Sequence, residues 1–262
     1  MFDREKLMSH IEDEEEEITL ASALDKAEYA LRRHEPTFTN FLNPYQRSLL
    51  IPLLDQIYDL KYHSYGGFKQ SERKRVGLMP DYYMLEIVEE PLVYLEISGN
   101  FDFVSVSHRD FLGAILGTGI KREMVGDLVV NKNGCQVIVA EEIKDYLMLN
   151  FKRVHQVPVQ IKEITAEELD VEPERVKELK STVASLRLDS VASSGFCTSR
   201  TKMAKKIKSG KVKLNWKVET DPAQMVDMDD IISIRGQGRV EIDERLGKSN
   251  KGRIKLILKR FI

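Results

Sequence analysis

Between residues 61 and 165 the chain alternates strand-like and helix-like segments, and this alternation limits the possible folds more than any other feature of the sequence. The segments follow one another as a strand over Tyr83–Val88, a strand over Leu92–Ile97, a helix over Asp110–Leu116, hairpin strands over Asp127–Val130 and Cys135–Val139, a helix over Glu141–Phe151 and a strand over Val157–Ile164. Such an alternation predicts a compact α/β sheet domain, which we place at residues 76–165.

The segment before this domain, residues 1–75, reads as mainly helical. A short helix is predicted over Asp25–Arg33, and Pro36 ends it. Asn43 followed by Pro44 is typical of a helix start, with leucines at helical spacing after it. The acidic run Glu12–Glu17 favours an exposed helix start, and docking of a basic protein partner is the alternative.

The segment after the domain predicts a linker helix and then a small basic module. The linker, residues 166–182, carries a helix over Glu172–Lys180, and residues 183–262 form the module. Within it we expect helices over Ser185–Ser193 and Arg200–Ser209, the second capped by Ser199 and stopped by Gly210, and strands over Lys211–Leu214, Ile231–Ile234 and Lys255–Ile262. The fold class is therefore α+β, with the middle domain of ferredoxin-like type.

The near-zero net charge of −2 conceals a strong asymmetry. Residues 181–262 hold 18 Lys/Arg against 9 Asp/Glu, whereas residues 1–180 carry a net charge of −11. Between Ser190 and Val218 there are eight Lys/Arg and no acid. A solvated surface normally mixes both signs, so this segment favours a surface that binds a polyanion.

Other functional classes find little support in the sequence. No apolar run reaches the length of about 18 residues that a membrane span needs. Cys135 and Cys197 are far apart and have no neighbours at metal-ligand spacing, so we expect no metal, no cofactor and a reducing cytoplasmic location.

Several short motifs resemble the S4 RNA-binding domain. They are Leu186-Arg187-Leu188-Asp189, Gly195-Phe196, Ser199-Arg200, Ala204, Ile207, Gly210-Lys211-Val212, Asn215, Asp230-Ile231-Ile232 and Arg235-Gly236-Gln237-Gly238-Arg239. In order and spacing they cover about 55 residues, from 186 to 240. The resemblance implies a small C-terminal S4 fold, of αL type, that binds RNA.

Upstream motifs resemble the YlmH family, bacterial S4-domain RNA-binding proteins often encoded near cell-division genes. They are Gly66-Gly67-Phe68, Glu72-Arg73-Lys74-Arg75, His108-Arg109-Asp110-Phe111-Leu112-Gly113 and Gly117-Thr118-Gly119-Ile120-Lys121-Arg122-Glu123. The resemblance implies an RRM-like middle domain and a non-enzymatic protein. It also implies binding of rRNA or tRNA on the large ribosomal subunit, in ribosome-associated quality control of stalled translation.

The predicted RNA contacts combine cations with one helix start. Ser199 at the cap leaves backbone N–H groups directed at a phosphate, and Arg200 beside it can bind phosphate oxygens. Arg187 is expected to project from the preceding helix toward the same surface. The full set is Arg187, Ser199, Arg200, Lys202, Lys205, Lys206, Lys211, Lys213, Asn215 and Lys217. A second contact would use His108, Arg109 and Arg122 of the middle domain and Arg73 before it. The alternatives are that Arg109 and Asp110 only cap a helix and that Arg73 only coats the surface.

Some assignments have competing interpretations. Arg187 could instead be structural, paired to Asp189 or Asp230, and Trp216 could stack on a base or pack over the sheet. An Arg-Leu-Asp motif also occurs in pseudouridine synthases, but here it opens the S4 module itself, which leaves no room for a catalytic domain after it. A cell-division adaptor that docks through the acidic N-terminal region is the alternative from a different class.

Overall fold

The computed structural model describes residues 7–9, 11, 13–85, 88–171 and 175–261. The chain divides into two compact units, residues 1–171 and 172–262. No helix within the described ranges is long and apolar enough to span a bilayer.

The N-terminal part of the first unit contains the helices α1 and α2 and a small sheet. Helix α1 spans Glu14–Arg33, and the Asp13 side chain caps it by accepting from the backbone N–H groups of Glu15 and Glu16. The acidic run is thus a helix start, as predicted, although Glu12 lies outside the described residues. The remaining elements are β1 Thr37–Phe38, α2 Pro44–Leu54, β2 Leu60–Tyr65 and β3 Arg75–Pro80.

Strands β1, β3 and β2 form an antiparallel sheet that the prediction of a mainly helical segment missed. The start of helix α2 could be predicted from local sequence, because Asn43 and Gln46 form a capping box there. The strands have no comparable local signal. They pair over the buried side chains of β3, which pack on α1 and α2.

The middle part of the first unit has the predicted ferredoxin-like order. Its elements are β4 Leu92–Gly99, α3 His108–Leu116, β5 Val125–Asn131, β6 Gly134–Ala140, α4 Lys144–Asn150, β7 Arg153–Val154 and β8 Val157–Ile164. The five-stranded antiparallel sheet has the order β5-β6-β4-β8-β7. Its helix-facing side forms the core with Phe111 and Ile115 of α3 and Leu147 of α4.

The strand predicted over Tyr83–Val88 is wrong at the described residues. Residues 83–85 and 88 form no strand, while Glu86 and Ile87 lie outside the described residues. Tyr82, Met84 and Leu85 are exposed rather than packed on the sheet, so these three side chains do not contribute to the core.

The second unit contains two helices on one curved sheet. Its elements are β9 Val176–Val183, α5 Leu188–Gly195, α6 Arg200–Lys208, β10 Val212–Leu214, β11 Lys217–Val218, β12 Ile231–Ile234, β13 Gly238–Lys248 and β14 Ile254–Phe261. The strands are ordered β11-β10-β12-β13-β14-β9. Leu188 and Val191 of α5 and Met203 and Ile207 of α6 pack on the sheet.

The predicted linker helix over Glu172–Lys180 is also wrong. Residues 176–183 form β9, which pairs antiparallel with β14 from Val183↔Ile254 to Val176↔Phe261, while residues 172–174 lie outside the described residues. Val176, Leu179 and Val183 are spaced as on a helix face. The partner strand lies more than 70 residues downstream, and its hydrogen bonds override that local pattern.

Candidate nucleic-acid interface

Two arginines converge on one buried carboxylate at the start of α5. Arg187 donates from Nε and Nη2 to the two carboxylate oxygens of Asp189, at 3.3 and 3.2 Å. Arg200 Nη2 lies 3.1 Å from Asp189 Oδ1. The Asp189 side chain is only 7% exposed, whereas those of Arg187 and Arg200 are 36% and 50% exposed. One acid therefore orients two solvent-accessible guanidinium groups, and the cluster keeps a net positive charge.

The position of Arg187 corrects the prediction that it projects from a helix. Helix α5 begins at Leu188, and Arg187 is its N-cap residue with extended backbone angles, φ −81° and ψ 144°. Backbone hydrogen bonds to the 222–226 segment hold Arg187 and the first residues of α5 in place. Leu188 N donates to Gln224 O, Asp189 N donates to Pro222 O, and Arg187 forms a bridge with Met225. Those carbonyls already accept from the N–H groups of Leu188 and Asp189 at the start of α5. An anion at this helix start would therefore bind the guanidinium groups and not these N–H groups.

Helix α6 begins as the sequence predicted. The Ser199 side chain accepts a hydrogen bond from Lys202 N at 3.3 Å, and Arg200 is the first helical residue. Both side chains are exposed. The positive end of the helix dipole and the Arg200 guanidinium thus lie at one point on the surface.

The lysines of the acid-free segment line the exposed side of α6 and continue onto β10 and β11. Met203 and Ile207 are buried against the sheet, which turns the lysines toward solvent. The exposed members are Lys202, Lys205, Lys208, Lys211, Lys213 and Lys217. Lys206 is half-buried, and its Nζ donates to Gln237 Oε1 at 2.9 Å.

Asn215 and Trp216 form the tight turn between β10 and β11. Both have positive φ, 48° and 65°, as a type I′ hairpin turn requires. The Asn215 amide donates to Asp230 Oδ1 at 2.7 Å, and its oxygen accepts from Ile231 N at 2.9 Å. These bonds give the Asn215 side chain a structural role in the hairpin, and Trp216 beside it is half-buried.

Electrostatics strengthen the cluster at neutral pH. Burial alone would raise the pKa of Asp189, but the hydrogen bonds from Arg187 and Arg200 outweigh it and leave that pKa below its usual value. A lowered carboxyl pKa means that the stability from this cluster is fully present above the ordinary carboxyl range. That stability is lost only as the pH falls through the lowered pKa.

Two of the four residues predicted for a second contact, Arg73 and Arg122, bind backbone carbonyls. Arg73 donates from Nε to Val125 O at 3.2 Å and from Nη2 to Phe41 O at 2.6 Å. Arg122 donates to the carbonyls of Val125 and Gly126. Burial and then the charge of Arg122 lower the pKa of Arg73 to about 10.

His108 and Arg109 occupy the first turn of α3. Partial desolvation and then the charge of Arg122 lower the pKa of His108. Arg109 is exposed on the same helix. The helix start itself is capped by Ser107 and Asp110, and Asp110 also pairs with His155 at 3.1 Å.

We expect Arg73→Ala to lower the free energy of unfolding by about 2–4 kcal/mol, because two charged hydrogen bonds to partly buried carbonyls are lost. Arg109→Ala, at an exposed site in the same unit, should change it by less than about 0.5 kcal/mol. Urea unfolding of both variants measures the difference. Equal stabilities would show that the Arg73 contacts do not hold this part of the fold together.

The sheet face that an RRM offers to RNA bases is covered by the chain itself. Ile138 and Ala140 of β6 are fully buried, and Phe41 packs on them. The amide of Gln136, also on β6, bonds to the backbone of Glu168 and Asp170. Bases therefore cannot stack on this face as they do on an ordinary RRM. Sequence reasoning missed this cover, because Phe41 lies far from β6 along the chain.

Among the described residues, no group of three or more His, Cys, Asp or Glu side chains is placed to hold a metal ion. The residue that sequence reasoning undervalued is Asp189, which appeared only as one possible partner of Arg187. Its signal was its place two residues after Arg187 in an otherwise basic segment.

Comparison with known proteins gives three family matches along the chain. A model of the N-terminal domain of YlmH matches residues 15–83, and one described as a putative RNA-binding domain in YlmH matches residues 90–168. The S4 domain model matches residues 186–232. Asp189 and the two arginines therefore lie inside the S4 match.

Two individual proteins are similar over long stretches. The Ribosome-associated protein quality control protein P2 of Bacillus subtilis is 32% identical over 246 residues, which cover 94% of this chain and 95% of that protein. The solved structure of the Cell division protein ylmH from Streptococcus pneumoniae is 27% identical, with a TM-score of 0.51. That match covers 61% of this chain and 97% of the other.

Proposed function

The chain belongs to the YlmH family of S4-domain proteins, and on this premise we propose that it is a non-catalytic, cytoplasmic RNA-binding protein. Its target is structured rRNA on the large ribosomal subunit, together with tRNA. The second unit supplies the main grip on that RNA, through the cluster at Asp189 and the lysines of α6 to β11.

The observation that carries this proposal is the pair of arginines fixed by Asp189. A guanidinium has more N–H groups than the contacts to Asp189 use, so each arginine can also donate to phosphate oxygens. Because the carboxylate already orients both groups, binding RNA costs less side-chain entropy than it would with free arginines.

This surface suits recognition by shape and phosphate position. In A-form RNA the deep groove excludes side chains and the shallow groove shows little sequence information. Exposed lysines such as Lys202, Lys205 and Lys213 add charge that attracts any phosphate backbone. The arginine pair adds the fixed geometry that favours one RNA shape. We assign the middle domain at most an auxiliary contact through Arg109 and His108, since its sheet face is covered.

A role in ribosome-associated quality control is supported by the similarity to the Bacillus subtilis protein, whose name states ribosome-associated protein quality control. We propose that this role is exercised on stalled translation. The Arg-Leu-Asp segment fits this role better than modification chemistry. In a pseudouridine synthase the aspartate must reach a substrate base, whereas the Asp189 carboxylate here is held by two arginines.

Sedimentation of cell extracts through sucrose gradients tests the proposal. We expect the protein to travel with large ribosomal subunits at low salt and to leave them as salt increases, because phosphate contacts release counterions. Removal of RNA by ribonuclease should abolish the association. Sedimentation only at the top of the gradient, in extracts with intact ribosomes, would contradict it.

A cell-division adaptor is the second candidate, and two observations favour it. The similar Streptococcus pneumoniae structure is named a cell division protein, and α1 begins with the exposed acids Glu14, Glu15 and Glu17. These acids would meet a basic protein partner. The same gradients separate the two candidates, because an adaptor would sediment independently of ribosomal RNA.

A further inference from the structure

The second unit contains an open cleft of about 520 Å³ outside the arginine cluster. The cleft, called here the basic cleft, is lined by residues 196–198 between α5 and α6, by Lys206, by residues 236–238 between β12 and β13, and by Arg260 of β14. Its volume falls within the range of about 300–1,000 Å³ that is typical of small-molecule sites. A nucleotide therefore has room there.

Arg260 is the most unusual residue of the basic cleft. Its guanidinium carbon lies 5.6 Å from the centre of the Phe196 ring, so the ring supports the guanidinium. The Nε–H group is buried, yet no described residue accepts a hydrogen bond from it. Buried side-chain donors nearly always have a hydrogen-bond partner, and a ligand that supplies an acceptor would give this donor one.

The charge of the basic cleft favours an anion. Among the described residues that line it, Lys206 and Arg260 are the cations and none is acidic. Lys206 Nζ is held toward the cleft by its hydrogen bond to Gln237. An ammonium group has further N–H donors beyond this bond, so Lys206 and Arg260 can share one phosphate.

We propose that the basic cleft binds a single unpaired nucleotide, with its phosphate between Lys206 and Arg260. Lys206 lies on α6 beside the exposed lysines that carry the proposed RNA surface, so an RNA strand on that surface can continue into the cleft. The inference therefore rests on the proposed function. A base within a duplex could not enter, whereas an unpaired base can also stack on a guanidinium plane.

A cysteine in the basic cleft provides a native reporter. Cys197 lines the cleft and is exposed, while Cys135 is buried and burial raises its pKa to about 12. A thiol reagent will therefore modify Cys197 selectively in the full-length protein. We expect ribosomal RNA at saturating concentration to slow this modification severalfold, because the bound nucleotide covers the thiol.

Matched charge variants separate the basic cleft from general electrostatics. We expect Arg260→Gln to weaken RNA binding about 10- to 100-fold, the loss of one charged hydrogen-bonding group, and to abolish the protection of Cys197. Arg245→Gln removes the same charge at an exposed site on β13 and should have a much smaller effect. Lys206→Gln, at a half-buried position of α6, repeats the test if Arg260→Gln does not fold.

The outcomes are distinct. Two results would overturn the proposal that the basic cleft binds a nucleotide and leave the proposed function intact. One is normal RNA binding without protection of Cys197, and the other is an equal loss of RNA affinity in Arg260→Gln and Arg245→Gln. No RNA binding by the wild type would overturn both. AMP, GMP and inorganic phosphate are tested alone in parallel. Protection by these small ligands and not by RNA would show that the site takes a free nucleotide, against the RNA source proposed.

Discussion

Replacing Arg187 and Arg200 together with alanine is expected to reduce the affinity for large-subunit RNA by about 100- to 10,000-fold. Each arginine contributes a charged hydrogen-bonding group, and such groups are worth about 1.5–3 kcal/mol each. A loss of about 1.4 kcal/mol lowers affinity tenfold. The two side chains share one carboxylate, so we expect them to act as a unit. Each single variant should therefore already show much of the loss of affinity seen in the double variant.

A matched control is needed because removing both arginines leaves Asp189 buried without its partners. Arg245→Ala combined with Lys248→Ala removes the same charge from exposed positions of β13. Circular dichroism and thermal unfolding establish that both double variants are folded, and filter binding or fluorescence anisotropy measures affinity. If the folded Arg187/Arg200 variant binds RNA as tightly as the control, the arginine pair does not provide the main RNA contact.

Asp189→Asn is expected to weaken RNA binding although it makes the protein more positive. The neutral amide cannot hold two guanidinium groups, so each arginine must be ordered when RNA binds. Ordering one long side chain costs about 0.5–1.5 kcal/mol, and two therefore cost about 1–3 kcal/mol, or about 5- to 150-fold in affinity. If the surface acted only through its total positive charge, removing this acid would instead raise the affinity for RNA.

Affinity measured at one fixed salt concentration decides between these views. Glu244→Gln is the control, because it removes one negative charge from an exposed position in the same unit. It should leave affinity unchanged or slightly higher. Tighter binding by Asp189→Asn than by the wild type would show that Asp189 only opposes RNA, and that its contacts with Arg187 and Arg200 do not prepare the site.

The parts of the fold that sequence predicted well are those fixed by neighbouring residues. Ser199 caps α6, the Asn43-Pro44 pair starts α2, and the turn after Asn131 joins two strands, each through contacts within a few positions. The errors concern long-range pairing. Residues 176–183 have helical spacing but join β14, and Arg187 and the first residues of α5 are held in place by residues 222–226.

The candidate site was predictable in charge and only partly in geometry. The acid-free run from Ser190 to Val218 identified the basic surface directly. The sequence could not show that Asp189 binds both arginines, because α6 brings Arg200 to it across the fold. Nor could it show that Arg260, distant in sequence, meets Lys206 in one cleft.

The measurement that tests the central claim most directly is the salt dependence of binding to purified large subunits, for the wild type and the Arg187/Arg200 double variant. Each phosphate contact contributes a slope of roughly 0.7–0.9 in log affinity against log salt. We predict that the wild type binds with a steep slope and that the folded double variant binds weakly, with a slope lower by about 1.4–1.8 for the two lost contacts. Identical slopes and affinities for the two proteins would contradict an RNA grip built on these arginines.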